Sequence, residues 1–427
     1  MTSTPTAPRP SVALPRVDPW ATFQGGAPTG RLAGLLCLDD FEARARALLP
    51  RPIFGYVAGA AERNQSLRDN AQAFGDWAFV PRVLQNVSQR DTSVELFGTR
   101  YAAPFGVAPM GIAALSACDG DCVLARAAQA QGLPAVLSGS SLTPMETVLA
   151  AAPGTWFQAY LPGSVERIDA LLARVKAARA PVLMVTVDIP VAGNRENNLR
   201  AGFSTPLKPS LRLAWDGLTH PRWLLGTALK TLLTRGMPHF ENSFAERGAP
   251  ILSARVARDF AQRDHFDWSH IAHIRRVWQG PLVVKGLLHP QDAVQAAQLG
   301  VDGVVVSNHG GRQLDGAVAP LRVLPQVVEA VQQAVGTRTV VMLDGGIRRG
   351  SDVLKALALG ARLVWVGRPF NHAATVAGEA GVRHAMQLLH AEVDRNLALL
   401  GATRCNQLGP QHLMPVNPPA PRPPPAN

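Results

Sequence analysis

Eight short apolar runs, separated by segments with helical periodicity, constrain the fold of this 427-residue chain more than any other feature. A continuous apolar run of this kind predicts a strand that is buried on both faces. The runs are Phe105–Pro109, Ala135–Leu137, Trp156–Tyr160, Val182–Val187, Leu282–Val284, Gly303–Val306, Val340–Leu343 and Leu363–Val366. Because buried strands that alternate with helices form parallel sheets, and eight units are the number that closes, we predict an α/β chain with a (β/α)8 TIM barrel.

An open, doubly wound sheet is the alternative, since a count of strands cannot establish closure. No Gly-x-Gly-x-x-Gly motif follows the first run, which argues against a dinucleotide-binding fold of that type. The predicted helices are Cys122–Gln131, Pro144–Ala151, Val165–Ala180, Pro290–Leu299, Leu324–Val335, Asp352–Leu359 and Gly378–Leu400.

Three segments fall outside the alternation of strands and helices. Residues 1–28 and 415–427 are rich in proline and poor in apolar residues, which predicts extended or disordered ends around a barrel domain at 29–414. That domain begins with a predicted helix at Leu38–Leu49. Residues 190–280, after the fourth run, form a long insertion that we interpret as a lid or loop. Its apolar segment 223–235, with basic residues nearby, is either a helix packed on the barrel or a peripheral contact with anionic lipid.

The charge balance favours acidic ligands. Lys and Arg number 42 against 31 Asp and Glu, so the net charge is +11, which suits phosphate or carboxylate partners. Nucleic acid is not expected, because no basic run is interleaved with aromatic residues. The four scattered cysteines fit a reducing compartment and do not predict a metal site. We find no signal-peptide pattern and no apolar window long enough to span a membrane, and therefore predict a cytoplasmic protein.

The ends of the predicted strands carry polar or flexible residues, as expected where a barrel builds its site. In chain order they are Pro109, Met110, Gly111, Ser138, Gln158, Tyr160, Thr186, Asp188, Lys285, Ser307, His309, Arg312, Asp344, Gly345, Gly346, Arg348, Gly367 and Arg368. Glycines and arginines after the last two strands are typical of a phosphate site, where backbone amides and guanidinium groups bind the anion. We therefore expect a phosphate-bearing ligand.

Residues 307–316 read Ser-Asn-His-Gly-Gly-Arg-Gln-Leu-Asp-Gly. This stretch resembles the signature of the FMN-dependent 2-hydroxy-acid dehydrogenase and oxidase family, which includes glycolate oxidase, lactate and mandelate dehydrogenases, and lactate monooxygenase. Supporting matches occur in the family's order at 156–160, 186–190, 284–286 and 343–350. The resemblance extends from about Leu38 to Leu408.

The resemblance implies that FMN lies across the barrel mouth. Its phosphate would bind at Arg348, Arg368 and the Gly345–Gly346 turn, with Asp344 and Gly367 in the same cofactor site. Lys285 would stabilise the negative charge that forms on the pyrimidine edge of the reduced ring. The other residues implied to line the flavin are Pro109, Met110, Gly111, Ser138, Gln158, Thr186 and Ser307.

The same resemblance implies a carboxylate-bearing substrate. Arg312 and Arg195 would bind its carboxylate through their planar guanidinium groups, and Tyr56 would add a hydroxyl donor. Ser140 and Ala192 stand where glycolate oxidase-like relatives carry bulky side chains. These small residues predict a 2-hydroxy acid that is larger than glycolate.

His309 would be the catalytic base, and Asp188 would orient it and stabilise the imidazolium. Tyr160 would hydrogen-bond the substrate hydroxyl. The α-hydrogen could leave as a hydride to the flavin or as a proton to His309, and the residues leave both routes open.

The predicted function is oxidation of an L-2-hydroxy acid to the 2-oxo acid by a lactate- or mandelate-type dehydrogenase with a quinone or cytochrome acceptor. An oxidase that reduces oxygen to hydrogen peroxide is the alternative. A barrel that binds FMN but catalyses a different reaction is another alternative. Flavin enzymes of that kind lack the combination of residues found here at His309, Arg312 and Tyr160. A non-catalytic phosphate-binding barrel is a further alternative, although clustered buried charges destabilise a fold unless function retains them. The resemblance also implies a homo-oligomer, specifically a tetramer, and a possible location at the inner face of the cell membrane.

Overall fold

The computed structural model describes residues 30–255 and 262–416. Three helices and three short strands precede the barrel. They are α1 Leu38–Leu48, α2 Arg51–Ala58, α3 Gln65–Gln72, β1 Trp77–Phe79, β2 Val94–Leu96 and β3 Thr99–Tyr101. Helix α1 confirms the predicted Leu38–Leu49 helix to within one residue. The predicted disorder of residues 1–28 lies outside the described residues.

Eight parallel strands then form a closed barrel. They are β4 Phe105–Val107, β5 Val136–Ser138, β6 Trp156–Ala159, β7 Leu183–Thr186, β8 Leu282–Leu287, β9 Gly303–Val306, β10 Val340–Asp344 and β11 Val364–Val366. Their order is β4-β11-β10-β9-β8-β7-β6-β5, and a parallel bridge between Val107 and Ala135 joins the two ends. The predicted (β/α)8 barrel is confirmed, and the open sheet is excluded.

Most of the described helices that follow β4 cover the outside of the barrel, and three belong to the long connection after β7. They are α4 Gly120–Ala130, α5 Met145–Ala151, α6 Val165–Ala177, α7 Glu196–Ala201, α8 Leu211–Leu218, α9 (Pro221–Trp223, the π-helical Leu224–Leu229 and Lys230–Arg235), α10 Trp268–Val277, α11 Pro290–Gln298, α12 Pro320–Val335, α13 Gly350–Ala358 and α14 Arg368–Leu399. Helix α14 starts earlier than the predicted Gly378, where the structure instead has a break in helical geometry at Ala377 and Gly378. Pro369 permits the early start because proline fits the first turn of a helix.

The predicted insertion at 190–280 is too long at its carboxyl end. Helix α10 lies within that range, packs against α6 and buries Ile271 and Ile274 in the outer core of the barrel. It is the barrel helix between β7 and β8, and Asp267 caps it by accepting a hydrogen bond from the Ser269 N–H at 2.9 Å. The sequence pattern missed this helix because its few apolar positions are interrupted by His and Arg residues.

The last strand, β12 Leu413–Pro415, pairs antiparallel with β1. Pro415 therefore lies in a strand, although it begins the predicted tail at 415–427. The Val416 N–H also donates to the Asp76 carbonyl oxygen at 2.8 Å. The remainder of that tail lies outside the described residues.

The barrel interior is filled by side chains. Trp156 and Trp365 meet edge-on with ring centroids 5.0 Å apart. The β2–β3 hairpin packs onto them through Val94 and Leu96, and the Trp156 Nε1–H donates to the Tyr101 hydroxyl at 3.2 Å. Because this hairpin covers the amino-terminal end of the barrel, a ligand reaches the barrel from the carboxyl-terminal end.

The amino-terminal helices are joined to that carboxyl-terminal end. Asp315 accepts hydrogen bonds of 2.9–3.2 Å from backbone N–H groups at the start of α3. Asn70 and Asn308 exchange two side-chain hydrogen bonds of 2.8 and 2.7 Å. These contacts hold α2 and α3 over the barrel mouth, and they bring Tyr56 into the cavity described below.

Asp121, buried at the start of α4, makes stability depend on pH. Burial raises the pKa of this carboxyl to about 6, although hydrogen bonds from Ser141 and Thr143 oppose the shift. The folded pKa therefore lies above the unfolded value of 3.8, so stability present below that value is lost as the pH rises through about 6. This difference between the folded and unfolded pKa corresponds to roughly 3 kcal/mol of unfolding free energy.

We expect Asp121→Asn to remove this cost, because the amide keeps an acceptor oxygen without ionising. Thermal unfolding should show a higher melting temperature than wild type at about pH 8, and a smaller gain at about pH 4.5. An equal effect at both pH values would contradict the explanation.

Candidate functional site

A cavity of about 650 Å3 opens where the carboxyl ends of the barrel strands meet. Ser140 and Ala192, the predicted small residues, belong to its wall. The predicted site residues that line it are Tyr56, Pro109, Met110, Gly111, Tyr160, Thr186, Arg195, Lys285, His309, Arg312, Asp344, Gly345, Gly346, Arg348, Gly367 and Arg368. One space therefore brings together residues from all parts of the barrel, as expected when parallel strands end at the same face.

Four predicted site residues do not line this cavity in the part of the chain that the structure describes. Ser138 and Gln158 contact each other, with the Ser138 hydroxyl donating to Gln158 Oε1 at 3.1 Å. Ser307 accepts a hydrogen bond from Lys285 Nζ at 2.8 Å. The fourth residue, Asp188, contacts His309. Each is buried or nearly buried at the edge of the site.

His309 is held by Asp188 in a conformation suited to a base. Its Nδ1 lies 2.8 Å from Asp188 Oδ1, and its backbone has a positive φ of 57°, which few residues other than glycine adopt. Burial lowers the pKa of His309 below 6.5, and the positive charges of Lys285 and Arg195 add to this effect, outweighing Asp188. The imidazole is therefore neutral at neutral pH. We assign the proton to Nδ1, which leaves Nε2 as the basic nitrogen.

Asp188 stays ionised beside this imidazole. Burial alone would raise the pKa of its carboxyl, but His309 and Lys285 outweigh burial and hold the pKa below its ordinary value. Gly286 makes room for it, because a Cβ atom at this position would lie 2.7 Å from the Asp188 side chain. Gly286, the last residue of the family match at 284–286, is thus needed for the position of Asp188.

Arg312 and Arg195 place two partly buried positive charges side by side. Arg195 Nε donates to the Arg312 carbonyl oxygen at 3.0 Å, and its Nη2 donates to Gln313 Oε1 at 2.6 Å. Arg312 Nη1 donates to the carbonyl oxygens of Tyr56 and Gly59 at 2.8 and 2.7 Å. Within the described ranges neither guanidinium pairs with a carboxylate. Burial and the like charge of Arg195 lower the pKa of Arg312 to about 10, so this position favours a bound anion.

A second positive region lies at the ends of β10 and β11. Burial, together with Arg312 and Arg348, lowers the pKa of Arg368 to about 9. Gly346 has a φ of +85°, and a Cβ atom there would lie 2.0 Å from the Asn70 carbonyl oxygen, so no larger residue fits. The turn is therefore held against α3 and lies beside two arginines, which is the arrangement predicted for a phosphate site.

Lys285 is buried at the end of β8 and keeps its charge. Its Nζ lies 2.8 Å from Asp344 Oδ2 and donates to the Ser307 hydroxyl. Burial lowers the pKa of this amine, but Asp344 and Asp188 outweigh burial and raise the pKa above its ordinary value. The lysine is thus a fixed cation in the cavity wall.

Comparison with known proteins identifies the family. Residues 45–415 match the family described as FMN-dependent dehydrogenase. This chain belongs to that family. The L-lactate dehydrogenase of Caulobacter vibrioides (strain NA1000 / CB15N) is 40% identical over 374 residues, which cover 85% of this chain and 93% of the relative. The L-lactate dehydrogenase of Xanthomonas euvesicatoria pv. vesicatoria (strain 85-10) is 40% identical over 367 residues, with coverage of 85% and 92%.

Solved structures agree with this membership. The crystal structure of the monotopic membrane protein (S)-mandelate dehydrogenase superposes with a TM-score of 0.81 at 33% identity and covers 90% of this chain and 100% of that chain. A mandelate oxidase structure with (S)-2-phenylpropionate gives a TM-score of 0.73 at 33% identity, with coverage of 89% and 98%. The enzyme is an FMN-dependent oxidoreductase.

The polar groups in and around the cavity can pair with those of FMN. Across the described residues, Thr186 Oγ1 and Asp344 Oδ1 in the cavity wall, and Gln158 Nε2 at the edge of the site, are buried and have no hydrogen-bond partner. The carbonyl groups, ring N–H and ribityl hydroxyls of a flavin can supply those partners. Arg348 and Arg368 match the phosphate in charge.

Some residues of the cavity wall were not predicted. Phe203 packs against Tyr56 with ring centroids 4.5 Å apart, and the Arg263 guanidinium lies 4.9 Å from the Tyr160 ring centroid. Both Phe203 and Arg263 come from the segment between β7 and α10, where no strand end marks a functional position. Asn371 also lines the cavity, one helical turn after Arg368, and that i, i+3 spacing could have indicated it.

Proposed function

We propose that this enzyme oxidises an L-2-hydroxy acid to the corresponding 2-oxo acid. One observation carries the proposal: a neutral imidazole, oriented by a carboxylate, shares a cavity with two partly buried guanidinium groups that have no carboxylate partner in the described residues. The relatives named L-lactate dehydrogenase and the structural neighbour named (S)-mandelate dehydrogenase support the substrate class and its handedness.

Each side chain then has a defined task. Arg312 and Arg195 bind the substrate carboxylate, which offsets the repulsion between their charges. Nε2 of His309 takes up a proton as the C2 carbon is oxidised, and Asp188 stabilises the imidazolium that results. Burial raises the pKa of Tyr160, so its phenol stays protonated and can donate a hydrogen bond to the substrate oxygen. FMN, when bound, accepts the two electrons.

A panel of L- and D-2-hydroxy acids mixed anaerobically with the purified enzyme tests the proposal. Loss of the oxidised-flavin absorbance with L-acids is the expected result. A yellow protein that no 2-hydroxy acid bleaches would refute the proposed substrate class, and a colourless protein that FMN does not reconstitute would favour a non-catalytic barrel.

The cavity favours a substrate with a side chain larger than that of glycolate. Ser140 and Ala192 leave space, and apolar Phe203 and Leu199 line the same cavity. We expect Ser140→Leu to lower kcat/KM for L-mandelate about tenfold or more relative to L-lactate, because an added side chain occupies the space of the phenyl ring. An equal loss with both substrates would show that the substitution disturbs the site in general.

We also propose that a quinone or cytochrome, rather than oxygen, reoxidises the flavin. The L-lactate dehydrogenase relatives support this acceptor class, and the mandelate oxidase neighbours favour oxygen as the second candidate. Rapid mixing of substrate-reduced enzyme with oxygen distinguishes them. Slow reoxidation supports a dehydrogenase, and fast reoxidation with stoichiometric hydrogen peroxide supports an oxidase.

The oligomeric state is a separate prediction. We expect a tetramer, and light scattering of the purified enzyme measures the number of subunits.

We propose a peripheral contact between helices α8 and α9 and the inner face of an anionic membrane. One face of these helices packs on the protein, since the Trp223 Nε1–H donates to the Leu115 carbonyl oxygen at 2.7 Å and Thr227 and Thr231 are buried. This agrees with the interpretation of 223–235 as a packed helix. No helix among the described residues is long and apolar enough to cross a membrane.

The opposite face of α8 and α9 supports the lipid contact. Leu211 and Leu233 are 92% and 85% exposed, and Trp215 and Leu225 are 67% and 64% exposed. Apolar side chains beside basic ones are typical of helices that lie at a membrane surface. The structural neighbour described as a monotopic membrane protein has the same overall fold. Basic residues on the two helices include Arg212, Arg222 and Lys230.

Sedimentation with liposomes tests this contact. We expect wild-type enzyme to pellet with vesicles that contain phosphatidylglycerol, and the double variant Leu225→Glu with Leu233→Glu to remain in the supernatant. Leu399→Glu is the matched control, because Leu399 is 67% exposed on a different helix. Equal sedimentation of the double variant and wild type would refute the proposed surface.

A further inference from the structure

Asn371 is a buried polar residue that the proposed reaction does not use. It is 2% exposed and lines the cavity, and its Oδ1 has no hydrogen-bond partner within the described parts of the chain. Its backbone is satisfied, since its N–H donates to the Gly367 carbonyl oxygen at 3.3 Å and its own carbonyl accepts from the Thr375 hydroxyl at 3.2 Å. The side-chain oxygen Oδ1, which can accept a hydrogen bond, is left without a donor.

The position of Asn371 points to the cofactor's phosphate end. It lies three residues after Arg368 on α14, so both side chains project from the same face of the helix. The next residue, His372, is influenced by the same charges: burial, followed by Arg348 and Arg368, lowers the pKa of its imidazole to about 3. This turn of α14 is therefore close to both arginines of the predicted phosphate site.

We propose that the side-chain amide of Asn371 is a further contact for FMN, binding its ribityl phosphate chain. A buried amide oxygen without a donor is unfavourable, so it persists where a ligand supplies the missing hydrogen bond. The ribityl hydroxyls can donate to its oxygen, and the phosphate can accept from its nitrogen. The proposal depends on the cofactor site proposed above, with the phosphate at Arg348 and Arg368.

FMN release from diluted holoenzyme, followed by the recovery of flavin fluorescence, tests this role. We expect Asn371→Ala to weaken FMN binding about three- to tenfold, the usual effect of losing one net hydrogen bond. Asn371→Leu should weaken it as well, which shows that the loss does not come from an empty space. Phe370→Leu is the matched control: this residue is a buried apolar neighbour that packs against Phe105 and does not line the cavity, so its variant should bind FMN within about twofold of wild type.

A second arm with riboflavin, which lacks the phosphate, identifies the group that Asn371 contacts. Equal weakening of FMN and riboflavin supports a ribityl hydroxyl, and weakening of FMN alone supports the phosphate. Arg348→Gln should weaken FMN but not riboflavin, which tests the phosphate site independently. If Arg348→Gln behaves in this way while both Asn371 variants bind FMN like wild type, the inference about Asn371 is overturned. If Arg348→Gln has no effect on FMN, the proposed phosphate site itself is wrong.

Discussion

His309→Ala is expected to retain FMN and to lose reduction of the flavin by substrate, by a factor of at least about 10³. The imidazole lines the cavity and has a basic nitrogen available, because the other nitrogen is bonded to Asp188. No other described residue in the cavity wall is an imidazole paired with a carboxylate. Stopped-flow absorbance under anaerobic conditions measures the rate of reduction directly.

The pH dependence of the wild-type enzyme gives a second measure of the same residue. Only the neutral imidazole can take up a proton, so kcat/KM should fall as the pH drops through the pKa of His309. Because burial holds that pKa below 6.5, the acid limb should lie below pH 6.5. Asp188→Asn removes the charge that opposes this shift, so the limb should move to still lower pH while the rate falls.

His273→Ala is a suitable control for this experiment. His273 is also paired with a carboxylate, its Nε2 lying 2.7 Å from Asp169 Oδ1, but it lies on α10 and does not line the cavity. Its replacement should leave flavin reduction unchanged. Substantial activity in His309→Ala, with FMN bound, would refute the assignment of the base.

Arg312→Lys is expected to lower kcat/KM for the 2-hydroxy acid by about 10²- to 10³-fold, even though it conserves the charge. The guanidinium is fixed by two hydrogen bonds to backbone carbonyl oxygens and lies 4.8 Å from the Tyr56 ring centroid. A lysine ammonium cannot keep those contacts and also bind both carboxylate oxygens. Steady-state kinetics with the best substrate of the panel measure the effect.

Binding of the 2-oxo acid product separates carboxylate recognition from chemistry. Arg312→Lys should weaken binding of that product strongly, whereas His309→Ala should weaken it much less. Arg275→Lys is a control, because this arginine pairs with Asp302 on the outside of the barrel. If Arg312→Lys binds the product as tightly as wild type, the carboxylate does not bind where we propose.

The sequence pattern predicted the barrel strands and most of the candidate site for a physical reason. Strands of a parallel barrel are covered on both faces, so each is a short apolar run that stands out between polar helices. The run Gly303–Val306 was predicted to the residue. Since each strand ends at the same face, the polar residues that follow each run were expected to meet, and most of them line one cavity.

Prediction was weakest between β7 and β8. Helix α10 was assigned to the insertion, because its apolar residues are too few to give a clear helical period. Phe203 and Arg263 were missed as well, although both line the cavity. Their positions depend on how a long connection folds back over the barrel, and nothing local to either residue encodes that path.

The sequence by itself therefore predicted the eight buried strands, the family and the set of strand-end residues, because these follow from local periodicity and from motifs within a few positions of each strand. The bridge between Val107 and Ala135 that closes the barrel is a contact between strands, which the count of strands does not contain. Only the tertiary structure decided the electrostatics and the remaining walls of the site. Burial makes the imidazole of His309 neutral, and the fold places Arg195 beside Arg312 and carries Tyr56 across from α2. These properties depend on desolvation and on contacts between residues far apart in the chain, which no local pattern contains.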